Sequence, residues 1–491
     1  MNSISTAISA VCGAVATLVD YTVHKIATHK SAPRVFVETR RIARAGFEPG
    51  VRYTIELDPG ERRLTLRVSE AGAYMVSRRQ REGAPATPVL DLNSNELLGI
   101  FEGHSAVRMV VMAGAGVIYF LPLATSSAVI ERAARVRDKL VSGAPLATAS
   151  ICAGAGFMAY ALAKGYEQGG IRTAPAVVNE IDSEQVEHAL QHNPAVAGAQ
   201  LTLAAPLQEV ALDPWLMARV PKVEIAELSL PCSGASAAGK AKRGTDVTEE
   251  HPEVGHLIAP AIMLLHRLQP SVVVVENVVP YRNSGSAWIL RHTLRDMGYS
   301  LSEVELDGVE FGQLEARRRW FLVAATAGLS ITLDDLVPQL TTVPRVEDVL
   351  EEVAADDPRW SGYAYLFTKQ VRDEAKGNGF MMQTVKPGDS KVPTLRKGYH
   401  KGGSTDPLLV HPDRNDLFRK FTGTEHARIK GFPADLVTGL SETRAHELLG
   451  QSVLYAPLAA IGRRIGEALQ AFARNSAVPQ GIGYRLERAT G

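Results

Sequence analysis

The chain has 491 residues, of which 45% are hydrophobic and 22% charged, with 53 basic and 53 acidic side chains. This length leaves room for two or three domains, and the composition is typical of a globular protein rather than a disordered or fibrous one. A formal net charge of zero excludes a global basic field, although it leaves room for a local basic groove.

The N-terminal third is predicted to be rich in β-structure. Alternating apolar runs bounded by glycine and proline turns predict strands over 34–38, 52–57, 64–68, 107–112 and 117–121. We therefore place an N-terminal extension at residues 1–31 and a small β-rich domain at 32–125. A helix predicted over 127–141 and ended by Gly143 forms a helical linker at 126–146.

From Ala147 to Ala327 the pattern alternates strand and helix, an order that implies a doubly wound α/β sheet with helices on both faces. We assign residues 147–329 to this α/β core domain. The chain becomes loop-rich over 330–420, returns to regular structure over 421–475 and ends in a tail at 476–491.

The three cysteines, Cys12, Cys152 and Cys232, are far apart and form no CxxC pair. Their spacing favours neither a disulfide framework nor a zinc site, and we expect a reducing, cytoplasmic location. The apolar segment from Ile4 to Val19 lacks the basic start of a signal peptide, so we interpret it as a domain-covering helix or a frayed end. Elsewhere no apolar run reaches membrane length, so no membrane partner is expected.

Ligands of doubly wound sheets bind at the carboxyl ends of the strands, and three candidate residues stand there. Glu180 follows the glycine turn Cys152–Gly156, where a ligand can approach the backbone and an acid can hold ribose hydroxyls. Cys232 ends the next apolar run, although a buried structural cysteine is the alternative. Glu276 ends a valine-rich strand, where burying an acid is costly unless it pairs with another group or acts on a ligand. A capping role for the following segment is the alternative.

A basic cluster precedes the strand predicted over 320–324. Alternation along a strand would put Arg317 and Arg319 on one face and Arg318 on the other. A solvated basic strand end is the alternative interpretation.

Taken in order, these motifs resemble the DNA (cytosine-5)-methyltransferase family over about residues 147–471. Its glycine loop is matched by Cys152, Gly154 and Gly156, and its PC loop by Pro231-Cys232. Its ENV motif is matched by Glu276-Asn277-Val278. Its QxRxR motif is matched by Glu315, Arg317 and Arg319, and its last motif by residues 450–453.

The resemblance implies a Rossmann-like methyltransferase sheet with a loop-rich target-recognition region and a small β-rich N-terminal domain. It implies methyl transfer from S-adenosylmethionine to carbon 5 of a flipped cytosine in double-stranded DNA, without a metal. The implied catalytic residues are Cys232 as the nucleophile, Glu276, Arg317 and Arg319. The implied cofactor-binding residues are Cys152, Gly154, Gly156, Phe157, Glu180, Ile181, Pro231, Ser452 and Val453.

The chain departs from the family at Phe157, Ser233, Ala235, Glu315 and Gln451, and an aspartate expected for the adenine is not evident near 204–206. An RNA cytosine-5 methyltransferase with the same active site and a non-catalytic DNA-binding regulator remain as alternatives. A cognate restriction endonuclease and the oligomeric state stay open.

DNA contacts are expected from two segments outside the catalytic motifs. The loop 237–248 carries basic residues that can clamp DNA: Lys240, Lys242 and Arg243. The region 330–420 is expected to read sequence, with lysines and Arg396 on phosphates and with Tyr399 and His400 as candidates to reach bases. Its basic residues are Lys386, Lys391, Arg396, Lys397 and Lys401.

The N-terminal region weakly resembles SymE-like and AbrB-like small β-domains around residues 45–50. That family often forms dimers and binds nucleic acid. The surrounding segment is rich in arginine, at positions 40, 41, 44, 62, 63, 78, 79 and 81. A plain interaction or packing domain is an equal alternative.

Overall fold

The computed structural model describes residues 16–475, apart from 237–243, 245, 337 and 339–342. The described residues divide into two compact units, residues 16–131 and residues 132–475. No helix in the described ranges is long and apolar enough to cross a membrane.

The N-terminal unit contains two antiparallel sheets. The six-stranded sheet has the order β1-β9-β10-β5-β4-β6, and the four-stranded sheet has the order β2-β3-β8-β7. Val35, Leu66, Val111 and Phe120 lie in its core. Its elements are β1 (Thr17–Lys25), β2 (Ala27–His29), β3 (Ala32–Glu38), β4 (Arg52–Asp58), β5 (Arg63–Val68), β6 (Tyr74–Met75), β7 (Ser77–Arg79), β8 (Thr87–Asn93), α1 (Asn95–Leu98), β9 (Ala106–Ala113) and β10 (Val117–Pro122).

The predicted β-rich character of this unit is confirmed, but its start differs from the expectation. We expected an extension through residue 31, with a helix or a frayed end up to Val19. Instead, β1 pairs with β9 from Thr17 onward, and β2 pairs with β3. The strand was missed because β1 is an edge strand whose apolar and polar residues do not alternate regularly. Residues 1–15 lie outside the described residues.

The second unit is built on a seven-stranded sheet with the order β13-β12-β11-β14-β15-β17-β16. Its strands are β11 (Leu146–Ile151), β12 (Thr173–Glu180), β13 (Leu201–Ala204), β14 (Ile225–Leu228), β15 (Val272–Asn277), β16 (Tyr299–Asp307) and β17 (Arg318–Thr326). The first five are parallel, and β17 runs antiparallel to both neighbours. All six residues of β15 are buried, as in strands covered on both faces. The predicted α/β sheet, with helices on both faces, is confirmed.

The strand order reverses at β11, whose neighbours are β12 and β14. The connection after β11 leads to β12 on one side of the sheet, and the connection after β14 leads to β15 on the other side. A crevice therefore opens between them at the carboxyl ends of the strands. Glu180 is the last residue of β12, Glu276 is the penultimate residue of β15, and Cys232 follows β14 by four residues. The topology therefore brings the three predicted strand-end residues to one edge of the sheet.

The helices that follow are α2 (Ala124–Ser142), α3 (Phe157–Gln168), α4 (Ser183–His192), α5 (Leu207–Leu212), α6 (Pro214–Met217), α7 (Ile258–Leu268), α8 (Gly285–Asp296), α9 (Ala364–Ala375), α10 (Gly423–Ile429), α11 (Glu442–Gln451) and α12 (Tyr455–Arg474). Helices cover both faces of the seven-stranded sheet, whereas Leu366 of α9 packs with Leu408 and Val410 in the region 330–420. The end of α2 is more than a linker, because Ala133 and Val136 lie in the core of the second unit. Arg132 also donates to the Met297 carbonyl at 2.7 Å.

Helices α3 and α12 pack with their backbones in contact. A Cβ atom on Gly165 would lie 2.2 Å from the Ala459 carbonyl oxygen, and one on Gly466 would lie 2.8 Å from Gly169 Cα. Residues four apart share a helix face, so Gly462 and Gly466 form a smooth strip against α3. This contact holds the C-terminal helix against the helix that begins at the glycine turn.

The region 330–420 packs around a small core that contains Val346, Val385, Leu395 and Tyr399, and Leu314, Phe421 and Ile429 complete this core from outside the region. Its sheet has the order β18-β19-β20, with β18 (Thr384–Val385), β19 (Leu408–Val410) and β20 (Phe418–Arg419). The suggestion that Tyr399 reads bases is wrong. The ring is fully buried, and its hydroxyl donates to the Pro407 carbonyl at 2.8 Å.

Candidate active site

A cleft of about 690 Å³ opens at the carboxyl ends of β11, β12, β14 and β15. Every residue predicted for catalysis or cofactor binding lines it: Cys152, Gly154, Gly156, Phe157, Glu180, Ile181, Pro231, Cys232, Glu276, Arg317, Arg319, Ser452 and Val453. Volumes of this size hold small-molecule ligands. One half is built from the glycine turn and Glu180, and the other from Cys232, Glu276 and the arginines.

The glycine turn has a conformation that side chains would disrupt. Gly154 and Gly156 have φ angles of 57° and 75°, and a Cβ atom on Gly156 would come within 2.6 Å of Asn193 and Val196. The Asn193 amide holds the turn by donating to the carbonyls of Ala155 and Gly156 at 3.1 and 2.8 Å. Burial raises the pKa of Cys152 to about 12, so this thiol is a neutral part of the wall.

Glu180 is fixed by backbone amides. One carboxylate oxygen accepts the Gly154 N–H at 2.8 Å, and the other accepts the amides of Ile181 and Asp182 at 2.9 and 3.2 Å. Each carboxylate oxygen has two lone pairs, so the oxygen that accepts Gly154 N–H can accept one further donor, such as a ribose hydroxyl. The exposed apolar side chain of Ile181 stands beside it at the rim of the cleft.

Cys232 begins a single 3-10 turn, Cys232–Gly234, immediately after Pro231. The turn is tightly enclosed, because a Cβ atom on Gly234 would lie 2.6 Å from the Thr248 carbonyl oxygen. Burial raises the pKa of the Cys232 thiol, and Arg319 is the strongest opposing influence. The thiol is therefore a potential nucleophile whose ionisation depends on nearby guanidinium groups.

Glu276 is 6% exposed and lies between two donors. Ser229 Oγ donates to one carboxylate oxygen at 3.0 Å, and Arg319 Nε lies 3.1 Å from the other. The adjacent Asn277 donates to the Leu230 carbonyl at 3.0 Å and so connects β15 to the Cys232 loop. These two hydrogen bonds, Ser229 to Glu276 and Asn277 to Leu230, join the end of β15 to the segment that leads from β14 to Cys232.

The three consecutive arginines separate as strand alternation predicts. Arg317 and Arg319 line the cleft, whereas Arg318 is exposed and pairs with Glu305 at 3.3 Å. Burial and the neighbouring Arg317 lower the pKa of Arg319 to about 10, which keeps it protonated at neutral pH.

Arg317 has a different set of partners. It donates to the carbonyls of Gly450 and Ser452 at 3.2 and 2.7 Å. We therefore interpret Arg317 as the residue that positions the C-terminal segment at the cleft, and Arg319 as the one that reaches Glu276. Val453 in that segment is buried, and the Ser452 hydroxyl donates to the Leu449 carbonyl at 2.7 Å.

Several residues of the site were not singled out from sequence, among them Thr394, which reaches the cleft from the region 330–420, and Ser150 and Glu227, which form its floor. Arg396 and Lys397, expected on DNA phosphates, also line the cleft. An acid inside the apolar strand β14 is the one signal that could have identified Glu227. Of the predicted DNA clamp at residues 237–248, residues 237–243 and 245, which include Lys240, Lys242 and Arg243, lie outside the described residues.

The departure at Glu315 is explained by Lys430. The two side chains form an ion pair in which both are fully buried. Glu315 also accepts the Leu395 N–H at 3.0 Å and lies 3.4 Å from Arg317. Its carboxylate thus joins the region 330–420, the paired arginines and the segment that follows α10.

The model of the C-5 cytosine-specific DNA methylase family matches residues 146–467, which is more than half of the chain. The chain belongs to this family. The matched range contains every motif residue that lines the cleft, and it begins at the first residue of β11.

Curated relatives of the chain include bacterial and eukaryotic proteins. The chain is 26% identical over 261 residues to the type II methyltransferase M1.ScrFI of Lactococcus lactis subsp. cremoris, covering 51% of this chain and 64% of the relative. It is 26% identical over 262 residues to M.MspI of Moraxella sp, covering 51% and 58%. It is 28% identical over 207 residues to the tRNA (cytosine(38)-C(5))-methyltransferase of Schizosaccharomyces pombe, covering 38% and 60%. The chain spans less than two thirds of the length of each of these relatives.

Solved structures with the same fold include two Dnmt2 proteins. That of S. pombe superposes with a TM-score of 0.52 at 20% identity, covering 66% of this chain and 99% of the other. A DNMT2 variant of Spodoptera frugiperda superposes with a TM-score of 0.50 at 17% identity, covering 65% and 99%. These likenesses support the methyltransferase fold of the second unit.

Proposed function

We propose that this methylase transfers a methyl group from S-adenosylmethionine to carbon 5 of cytosine in double-stranded DNA, through a covalent bond to Cys232. One observation carries the proposal. Cys232, Glu276 and Arg319 meet at one end of a cleft whose other end is formed by the glycine turn and Glu180. The family membership and the type II methyltransferase relatives support the same reaction.

The residues present fit S-adenosylmethionine. The glycine turn lines the cleft with its backbone, Glu180 can accept a ribose hydroxyl, and Ile181 offers an apolar face to the adenine. When bound, the cofactor supplies an electrophilic methyl group. Phe157, Pro231 and Val453 complete the apolar walls.

Cytosine is a poor nucleophile at carbon 5, so the protein must first change the ring. We infer that the Cys232 thiolate adds to carbon 6, which makes carbon 5 enamine-like. One Glu276 oxygen accepts a hydrogen bond from the exocyclic amino group, and through the other Glu276 passes the proton released by the Cys232 thiol to ring nitrogen 3. After methyl transfer, loss of the carbon 5 proton expels Cys232 and restores the ring.

In a duplex, carbon 6 is hidden within the base stack. The base must therefore be flipped into the cleft, at a cost of a few kcal/mol. Thr394 and Lys397 stand at the cleft beside the catalytic half, where they can hold the flanking backbone.

Bisulfite sequencing of DNA from cells that express the chain tests the proposal. Methylated cytosines at a defined site support it, and their absence favours a non-catalytic DNA-binding regulator. An RNA substrate is a second candidate, favoured by the likeness to the S. pombe tRNA methyltransferase. Comparing duplex DNA with tRNA as acceptors of a labelled methyl group separates the two. The type II relatives favour a cytoplasmic restriction-modification system with a cognate endonuclease as partner.

Replacing Glu180 with alanine is expected to weaken cofactor binding by about 1.5–3 kcal/mol, the range for hydrogen bonds to a charged group. Calorimetric titration with S-adenosylhomocysteine measures the effect. Glu184→Ala is a matched control on the adjacent helix, because that side chain is 84% exposed. Equal affinities of wild type and Glu180→Ala would reject the assignment of ribose binding to Glu180.

We further propose that the region 330–420 reads the target sequence. It contributes Thr394, Arg396 and Lys397 to the cleft, although Arg396 is also paired with Asp406 at 2.6 Å. The N-terminal unit is the competing source of readout. Several of its arginines are engaged by acids, with Arg79 and Arg81 both on Glu38 at 2.6 and 3.0 Å. Arginines that are already paired are weaker candidates for phosphate contacts.

Exchanging residues 337–383 for the same segment of a relative is expected to change the methylated sequence and to leave the chemistry intact, because the catalytic pocket contacts only the flipped base. Mapping methylated sites measures the change. A deletion of residues 1–122, which keeps α2 whole, tests the N-terminal unit. An active truncated protein that loses its site preference would contradict the assignment, whereas weaker binding with unchanged preference would indicate phosphate contacts.

A further inference from the structure

Glu227 is a buried carboxyl group on the floor of the cleft for which the reaction described above has no role. It lies in β14, whose four residues are all buried, and it is 3% exposed. Ser150 Oγ donates to one of its carboxylate oxygens at 2.8 Å. Within the described part of the chain, Ser150 is the hydrogen-bond partner of this carboxylate and the other oxygen has none, and Glu227 lines the cleft.

The surroundings of Glu227 contain no counter-charge. No arginine or lysine of the described ranges forms an ion pair with it, and its close neighbours are Ser150 and the buried ring of Tyr166. Burial raises the pKa of Glu227 to about 7, and the Ser150 hydrogen bond offsets this only in part. Burying an ionisable group without a partner is costly unless a ligand supplies one.

The position of Glu227 indicates which ligand group that would be. Ser150 and Glu227 are paired across β11 and β14, so they lie between the glycine turn and the Cys232 loop. Glu180 stands on one side of them at the end of β12, and Glu276 on the other at the end of β15. A cofactor with its ribose at Glu180 and its methyl group directed at the Cys232 end has its amino-acid part over this floor.

We propose that the Glu227 carboxylate binds the α-ammonium group of the methionyl part of S-adenosylmethionine. The assignment rests on the function proposed above and extends it by one cofactor-positioning residue. An ammonium group carries three donors and a positive charge, so it satisfies the free carboxylate oxygen and stabilises the ionised form of Glu227. The hydrogen bond from the Ser150 hydroxyl to the second oxygen fixes the orientation of the Glu227 carboxylate.

Three ligands distinguish this role in calorimetric titrations of the full chain with wild type and Glu227→Gln. S-adenosylmethionine has the ammonium and the sulfonium, S-adenosylhomocysteine has only the ammonium, and methylthioadenosine lacks the amino-acid part. Glu227→Gln is expected to lower the affinity for the first two ligands by about 10- to 100-fold, the loss typical of a hydrogen bond to a charged group. The affinity for methylthioadenosine should change less than twofold.

Other outcomes overturn the assignment. A lower affinity for S-adenosylmethionine alone would place Glu227 at the sulfonium. An equal loss of affinity for all three ligands would show general damage to the cleft. If wild type methylates DNA and Glu227→Gln binds all three ligands normally, the inference fails and the proposed function stands. If wild type binds none of the three, both fail.

Discussion

Replacing Cys232 with serine is expected to abolish methyl transfer to DNA, with a loss of roughly 10⁴- to 10⁶-fold, as for other enzymes that lose a catalytic nucleophile. A thiol has a pKa of about 8.5 in water and ionises readily, whereas a serine hydroxyl does not near neutral pH. Arg319 opposes the effect of burial on the Cys232 pKa, but it cannot make a hydroxyl ionise to a comparable extent. Transfer of a labelled methyl group to duplex DNA measures the loss.

Cofactor binding provides the control for this variant. Because serine is nearly isosteric with cysteine, Cys232→Ser should bind S-adenosylhomocysteine with an affinity close to that of wild type. Duplex DNA that contains 5-fluorocytosine should trap wild type as a covalent adduct on a denaturing gel, since fluorine blocks the final elimination, and should leave Cys232→Ser free. Methylation by the serine variant near the wild-type rate would refute the covalent mechanism. So would the absence of an adduct from wild type that binds cofactor.

Replacing Glu315 with glutamine is expected to lower the free energy of unfolding by about 3–5 kcal/mol, the usual cost of removing one partner of a buried ion pair. The variant leaves Lys430 fully buried without its counter-charge. Burial and the nearby Arg317 already lower the pKa of Lys430, and the Glu315 carboxylate opposes that effect. Glutamine can still accept the Leu395 N–H, so the variant isolates the charge. Urea denaturation monitored by circular dichroism measures the change.

The double variant Glu315→Gln/Lys430→Gln is the matched control. Two neutral amides of similar size can hydrogen-bond each other, so the double variant should recover most of the stability lost by Glu315→Gln. The resulting double-mutant cycle reports the coupling between the two residues. The pair would have no structural role if the free energy of unfolding of Glu315→Gln lay within about 1 kcal/mol of wild type. Strictly additive effects of the two substitutions on that free energy would lead to the same conclusion.

Much of the fold and the positions of the predicted site residues could be predicted from sequence because their determinants are local. The valine-rich run that forms β15 is continuous, and Glu276 stands at its end whatever the rest of the chain does. The glycine turn and the Pro231-Cys232 turn likewise follow apolar runs directly. Alternation along β17 was enough to separate Arg318 from Arg317 and Arg319. Ordered motifs at strand ends thus predict a shared cleft, since parallel strands bring their carboxyl ends to one edge.

Other features depend on residues far apart in the chain, and only the tertiary structure shows them. Lys430 neutralises Glu315 across 115 positions, and Arg317 bonds to carbonyls more than 130 positions away. Ser150 and Glu227 meet because β11 and β14 are neighbours in the sheet. Tyr399 resembles a base-reading residue in sequence but fills the core of the region 330–420.

The physical reason is the range of the interactions involved. A strand, a turn or an amphipathic helix is determined by the pattern of residues next to one another, which the sequence displays directly. Whether a buried charge is paired, unpaired or open to a ligand depends on which segments pack around it, and packing is decided by the whole fold. The sequence by itself therefore determined the family motifs and the sheet that presents them. The tertiary structure alone decided the partners of Glu315 and Arg317 and the open carboxylate of Glu227.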